Sequence, residues 1–217
     1  MKMILVAGGP ERELPDLKSF EETDVHWIGI DRGTLYLLHR GIKPQAAFGD
    51  FDSITAEEWD LIKKEVESIH TFPAEKDETD LELALQWALS FKPGHLTILG
   101  ATGGRLDHFF GTVSLLTNNQ LAFHDTEVEV VDRQNRLAIY QGPLKKRVEN
   151  DTDYKYFSFF PVTKEVKEFT LEGFKYPLTN HTVQLGSTLY VSNELIGESG
   201  TFSFTDGILI MVRSSDD

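Results

Sequence analysis

Three short stretches gather the residue types that handle charged substrates. In Gly49-Asp50-Phe51-Asp52-Ser53, two carboxylates lie two residues apart behind a glycine. "PAEKDETD" supplies Lys76, Asp77, Thr79 and Asp80, and "GATGGRLDH" supplies Gly100, Gly103, Gly104, Arg105, Asp107 and His108. Acids crowded at one place repel one another unless a cation sits among them. Hard oxygen donors without a cysteine or histidine cluster suit Mg2+, which uses one or two carboxylates plus substrate phosphates. A glycine-rich turn at a helix start bares N–H groups for a phosphate, and an arginine adds a two-pronged charged donor. These types and spacings describe a metal–polyphosphate site, with the paired acids Asp50 and Asp52 serving magnesium.

Each feature also has a plainer reading. Asp50 and Asp52 could cap the helix that begins near Thr55, although Ser53 or Thr55 can do so unaided and leave the acids free. Asp77 and Asp80 suit the first turn of a helix electrostatically. Gly8-Gly9 fits a turn, and it completes neither a GxGxxG nor a P-loop pattern. His108 reads as a histidine satisfying a core hydrogen bond, and Lys145-Lys146-Arg147 as a solvated loop.

Six apolar runs at 3–7, 25–30, 46–48, 68–72, 95–99 and 128–131 read as strands. Helical periodicity lies between them at 34–40, 56–67, 81–91 and 106–118. Such alternation predicts β-α units and a parallel, Rossmann-like sheet with helices on both faces. Ligands of such sheets gather beyond the strand ends. Gly8-Gly9, Asp31, Asp50, Asp52, the DETD acids and GATGGRLDH each follow a predicted strand, so they share one edge. From Asn135 the pattern turns to period two in YKYFSFFPV, EVKEFTLEG, HTVQLG, TLYVSNEL and GTFSFTDGILIMV. That texture predicts a C-terminal antiparallel β-sandwich. The expected domains are therefore 1–132 and 133–217.

A net charge of −14 over 217 residues argues against nonspecific nucleic-acid binding and favours a cationic ligand. No apolar run approaches the ~20 residues of a membrane span. The opening MKMILVAGGPERELPD lacks a signal-peptide layout, and there is no cysteine, which together lead to the expectation of a cytoplasmic protein.

The blocks DRGTLYLLHRGIKPQAAFGDFDSI, FPAEKDETDLELAL, GATGGRLDH, LEGFKYPL and LGSTLYVSNEL, in this order and spacing, resemble the thiamine pyrophosphokinase (thiamine diphosphokinase) family. The resemblance implies an α/β catalytic domain, a β-sandwich, and a homodimer with active sites between subunits. It implies transfer of a diphosphoryl group from ATP to the hydroxyl of thiamine, with AMP released and Mg2+ required. By this likeness Asp50, Asp52, Asp77 and Asp80 are catalytic, and Asp50, Asp52 and Asp80 hold the metal. Gly8, Gly9, Asp31, Gly103, Gly104, Arg105 and Asp107 bind ATP, and Ser192 and Asn193 line the thiamine pocket. Arg32, Thr112 and Tyr190 depart from residues usual in relatives. The competing reading is a Mg-dependent phosphohydrolase of the haloacid dehalogenase type, with Asp50 and Asp52 as its Asp-x-Asp pair. A nonenzymatic nucleotide sensor is a second alternative.

Overall fold

Apolar runs of four to six residues, separated by amphipathic segments, make the first part of the chain alternate strand and helix. The computed structural model describes residues 1–20, 23–73, 75–118 and 126–216. It divides into two compact units, Met1–Arg133 and Gln134–Asp217.

In the first unit, six strands run β1 (Lys2–Val6), β2 (Val25–Ile30), β3 (Ala46–Gly49), β4 (Ser68–Thr71), β5 (His95–Leu99) and β6 (Glu127–Val131). They pair in parallel in the order β4-β3-β2-β1-β5-β6. Residues of β1, β3 and β5 are almost continuously buried, as expected of strands covered on both faces. Four helices connect them: α1 (Arg32–His39), α2 (Ala56–Glu65), α3 (Asp80–Ser90) and α4 (Leu106–Leu116). The right-handed crossover rule puts α1 and α2 on one face and α3 and α4 on the other, because the chain reverses direction along the sheet after β4. That reversal makes the gap between β1 and β5 the topological switch point.

Local chemistry sets the helix starts. Thr55 and Glu58 form a reciprocal capping box on α2, with Thr55 Oγ1 accepting from Glu58 N at 3.2 Å and Thr55 N donating to Glu58 Oε2 at 2.8 Å. Thr79 caps α3 through Glu82 N at 3.1 Å. The acids near these starts are therefore not needed as caps. At α1, a Cβ on Gly33 would lie 1.9 Å from the Val6 carbonyl oxygen, so only glycine lets this helix approach β1 so closely.

The second unit contains β7 (Asn135–Gln141), β8 (Leu144–Glu149), β9 (Tyr156–Pro161), β10 (Glu165–Glu172), β11 (Leu178–Gln184), β12 (Ser199–Phe204) and β13 (Ile208–Ser214). An antiparallel set β7-β13-β9 faces a four-stranded antiparallel sheet β11-β10-β12-β8 across one core. Phe157, Phe159, Phe169 and Phe202 are fully buried there, and each such ring contributes roughly 1.5–3 kcal/mol of hydrophobic stabilisation. Phe159 meets Phe169 edge-on at 5.2 Å.

Two local expectations are corrected. Lys145-Lys146-Arg147, read as a loop, lies in β8, paired with β12, where basic side chains line an edge strand. TLYVSNEL, read as a strand, is a run of turns with isolated bridges at Asn193 and Leu195. Ser192 there takes a positive φ of 56°, which interrupts extended pairing.

Candidate active site

The aromatic between the paired acids is an anchor. Phe51 is buried against Leu35, Ile62 and Val66, with its ring 4.9 Å from Trp59. Its φ of 55° is unusual for a bulky residue and turns the chain sharply as it leaves β3. With Phe51 pinned inward, Asp50 is half-buried and Asp52 exposed, and Asp50 Oδ1 accepts from Asp52 N at 3.1 Å.

Asp31, one strand over, joins them. Its backbone N donates to the Phe48 carbonyl at 2.8 Å, and its φ of 47° swings the carboxylate over Gly49. A Cβ on Gly49 would lie 2.0 Å from Asp31 Oδ1, so the glycine of GDFD is what admits this carboxylate. Burial, then the charges of Asp80 and Asp50, push the Asp31 carboxyl up to about 6, against a backbone hydrogen bond from Phe51 and the charge of Lys76. Asp31 Oδ1 is buried and has no hydrogen-bond partner. Asp80, first residue of α3, accepts from Lys76 Nζ, and the Lys76 charge is also felt by Asp31. Asp77 is exposed.

This donor set fits a hard divalent cation: all oxygen, mutually repelling, with one buried oxygen unused. Among the described residues no three carboxylate or imidazole groups close around an ion by themselves. Mg2+ does not ask for such a cage, because phosphate and water oxygens complete its shell.

At the switch point the loops after β1 and β5 are laced together. Gly9 N donates to the Gly100 carbonyl at 2.9 Å, and a Cβ on Gly9 would lie 2.3 Å from that oxygen. Gly100 and Gly103 have φ of 69° and 74°. Gly103 and Gly104 are exposed and lead into α4, which, unlike α2 and α3, has no side-chain N-cap. Arg105 holds Asp107 in a fork, Nε to Oδ1 at 3.1 Å and Nη2 to Oδ2 at 2.6 Å, and this pulls the Asp107 carboxyl down to about 2. Both side chains are exposed, so the pair is a surface feature with little stabilising value. His108 is exposed too, not a core histidine as read from the sequence.

In the second unit, Ser192 is exposed and its N donates to Ser158 Oγ at 3.0 Å. Asn193 is buried and its amide is committed to backbone. Oδ1 accepts from Tyr176 N at 3.0 Å and Glu194 N at 2.9 Å, and Nδ2 donates to the Tyr176 carbonyl at 2.9 Å. Its side chain thus holds the segment carrying Tyr176, an exposed aromatic, in place.

Comparison with known proteins separates the candidate chemistries. The description "Thiamin pyrophosphokinase, catalytic domain" matches residues 17–130, and "Thiamin pyrophosphokinase, vitamin B1 binding domain" matches residues 145–209. The chain belongs to the thiamine pyrophosphokinase family. A thiamine pyrophosphokinase of Bacillus subtilis is 48% identical over 217 residues, covering all of both chains. A crystal structure of thiamine pyrophosphokinase from the same species superposes with a TM-score of 0.93 at 46% identity, again over the whole of both chains. One of thiamin pyrophosphokinase from Geobacillus thermodenitrificans gives 0.90 at 50% identity, covering 100% of this chain and 99% of that one.

The haloacid dehalogenase alternative gains no support from these matches. Within the thiamine pyrophosphokinase fold, the acids follow β3 rather than the first strand, and GATGGRLDH has a place at the switch point. Asp31, assigned from the sequence to the nucleotide, has its carboxylate within reach of the Asp50 and Asp80 charges. Buried Asp132, which accepts from Thr102 Oγ1 at 2.6 Å, was missed from the sequence. The signal was available: Asp132 directly follows the sixth parallel strand, the position that Asp31 and Asp50 hold after theirs.

Proposed function

We propose that the protein is a thiamine diphosphokinase: it transfers the diphosphoryl group of ATP to the hydroxyl of thiamine, giving thiamine diphosphate and AMP. The observation that carries this reading is the convergence of Asp31, Asp50 and Asp80 beyond the strand ends, with one buried oxygen unused, in a chain that aligns end to end with a thiamine pyrophosphokinase.

In the reaction the thiamine hydroxyl oxygen attacks the β-phosphorus. The bond from that phosphorus to the oxygen bridging it to the α-phosphorus breaks, AMP leaves with that oxygen, and the hydroxyl proton is released. Asp50, Asp52 and Asp80 would hold Mg2+, with Asp31 beside them and Asp77 close to the nucleotide. Bound there, the metal would supply charge neutralisation to the polyphosphate and help orient the β-phosphorus. Gly8-Gly9 and Gly103-Gly104 bring backbone close to the nucleotide, and the uncapped N–H groups of α4 face phosphate oxygens. Arg105 exchanges its exposed Asp107 partner for phosphate, keeping a bidentate geometry. Lys76 holds Asp80 in register until substrate arrives. Ser192 and the Asn193-anchored segment belong to the thiamine pocket. Thiamine is itself a cation, and the net charge of −14 favours its approach. The protein acts as a cytoplasmic homodimer with active sites between subunits. No helix among the described residues is long and apolar enough to cross a membrane.

An AMP-coupled assay with single omissions tests the reading. AMP should form only when ATP, Mg2+ and thiamine are all present. Phosphate release that ignores thiamine, together with a trapped phosphoaspartate at Asp50, would restore the phosphohydrolase.

A further inference from the structure

The carboxylate that follows β6 is tied to the glycine loop that follows β5. Register pairs Leu99 with Val131, so Gly100 and Asp132 leave neighbouring strands side by side at the same sheet edge. Asp132 is 7% exposed, and among its partners is the Thr102 hydroxyl, which donates to Oδ2 at 2.6 Å. Thr102 lies between Gly100 and Gly103, whose φ of 69° and 74° turn the chain on both sides of it. Its own carbonyl faces the loop after β1, 3.2 Å from where a Cβ on Gly9 would lie. One residue thus spans the loop, with its backbone toward β1 and its side chain toward β6.

The next residue grips the same loop. Arg133 N donates to the Glu13 carbonyl at 3.1 Å, and Glu13 packs against Gly103, where a Cβ would lie 2.4 Å from Glu13 Cγ. The end of β6 therefore fixes the loop at two points, directly through Thr102 and indirectly through Glu13. A hydroxyl donating to a carboxylate makes a charge-assisted bond, stronger than a neutral one. What it holds in place is Gly103-Gly104 and the start of α4, which has no side-chain N-cap. Backbone N–H groups at such a start suit phosphate oxygens. They bind well only if the loop is already ordered, because ordering it on binding would oppose affinity.

We propose that Asp132 is a positioning residue for the nucleotide, acting through the Thr102 hydroxyl to hold the GATGG loop in the shape that receives the polyphosphate of ATP. This rests on the kinase reading and extends it to a residue outside the acid cluster. A carboxylate repels a polyphosphate. Asp132 therefore serves this edge by what it holds and not by attracting the anion.

The test measures AMP formation by the full-length protein with Mg2+ at varied ATP and varied thiamine, beside urea unfolding of each variant. Thr102→Val keeps the volume and loses the donor, so the KM for ATP should rise roughly tenfold with that for thiamine unchanged. Thr102→Ser keeps the hydroxyl and should stay close to wild type. Asp132→Asn keeps the shape and removes the charge. Positioning predicts a higher KM for ATP in this variant, whereas a purely electrostatic role predicts a lower one. In the double variant the two effects should not add, because both break one link. Lowered stability in Thr102→Val with an unmoved KM for ATP makes the pair a fold contact only and overturns the proposal. A lower KM for ATP in Asp132→Asn overturns it as well, and this arm decides alone if Thr102→Val does not fold. A wild-type protein that forms no AMP in the presence of thiamine overturns the kinase reading and the proposal with it. Normal AMP formation with unmoved KM values overturns the proposal alone.

Discussion

Asp50 and Asp52 differ from an ordinary surface pair because a buried ring lies between them. Asp50→Asn and Asp52→Asn keep shape and remove charge, so each should lower turnover by at least ~10²-fold while the thermal unfolding midpoint holds. Near-normal turnover in Asp52→Asn would take that residue off the metal. Phe51→Ala removes the anchor and should cost about 3–4 kcal/mol in urea unfolding, with activity falling further than stability explains. Asp31 predicts a pH effect on the metal-free protein. Its folded value of about 6 lies above the ordinary 3.8, so the native state binds the proton more tightly. Stability from this group is present below about pH 4 and is lost as pH rises through 6. Asp31→Asn should flatten that slope and raise metal-free stability at pH 7, as read by urea unfolding from pH 4 to 7. Arg105→Lys keeps the charge and loses the fork, so the KM for ATP should rise about tenfold with that for thiamine unchanged.

Elements carry the site by how closely they approach, and the glycines are where this is most exposed to test. Gly9→Ala forces a Cβ onto the Gly100 carbonyl and should reduce both stability and activity. Thr55→Ala removes the α2 cap, costs about 1 kcal/mol and leaves turnover intact, which separates capping from the acids beside it. The parallel strands were legible because covered strands are continuous apolar runs, and so were α2 and α3, whose caps and periodicity agree. β8 was not, since LKKRVE carries three consecutive cations where a strand signal would alternate apolar and polar residues. TLYVSNEL misled for the opposite reason: its β-rich composition is overridden by the positive φ at Ser192 and by Asn193, whose amide prefers the backbone of another segment. The Asp31 cluster was only half legible. Its position after β2 showed in the sequence, while its closeness to Asp80 depends on sheet order, which periodicity does not encode.

At the scale of the whole molecule, the proposed homodimer can be tested by mixing lesions. Asp50→Asn and Ser192→Asp should each inactivate one side of the proposed shared site, and Ser192 is exposed at a positive φ that Asp tolerates. After random subunit exchange about half the dimers are mixed and half their sites intact, so roughly a quarter of wild-type activity should return. No recovery despite demonstrated exchange would mean that each site is built within one chain. The reaction itself is read most directly by 31P NMR of an incubation with ATP, Mg2+ and thiamine. Attack at the β-phosphorus predicts AMP and thiamine diphosphate in equal amounts, with neither formed when thiamine is left out. ADP with thiamine monophosphate, or inorganic phosphate formed without thiamine, would contradict it.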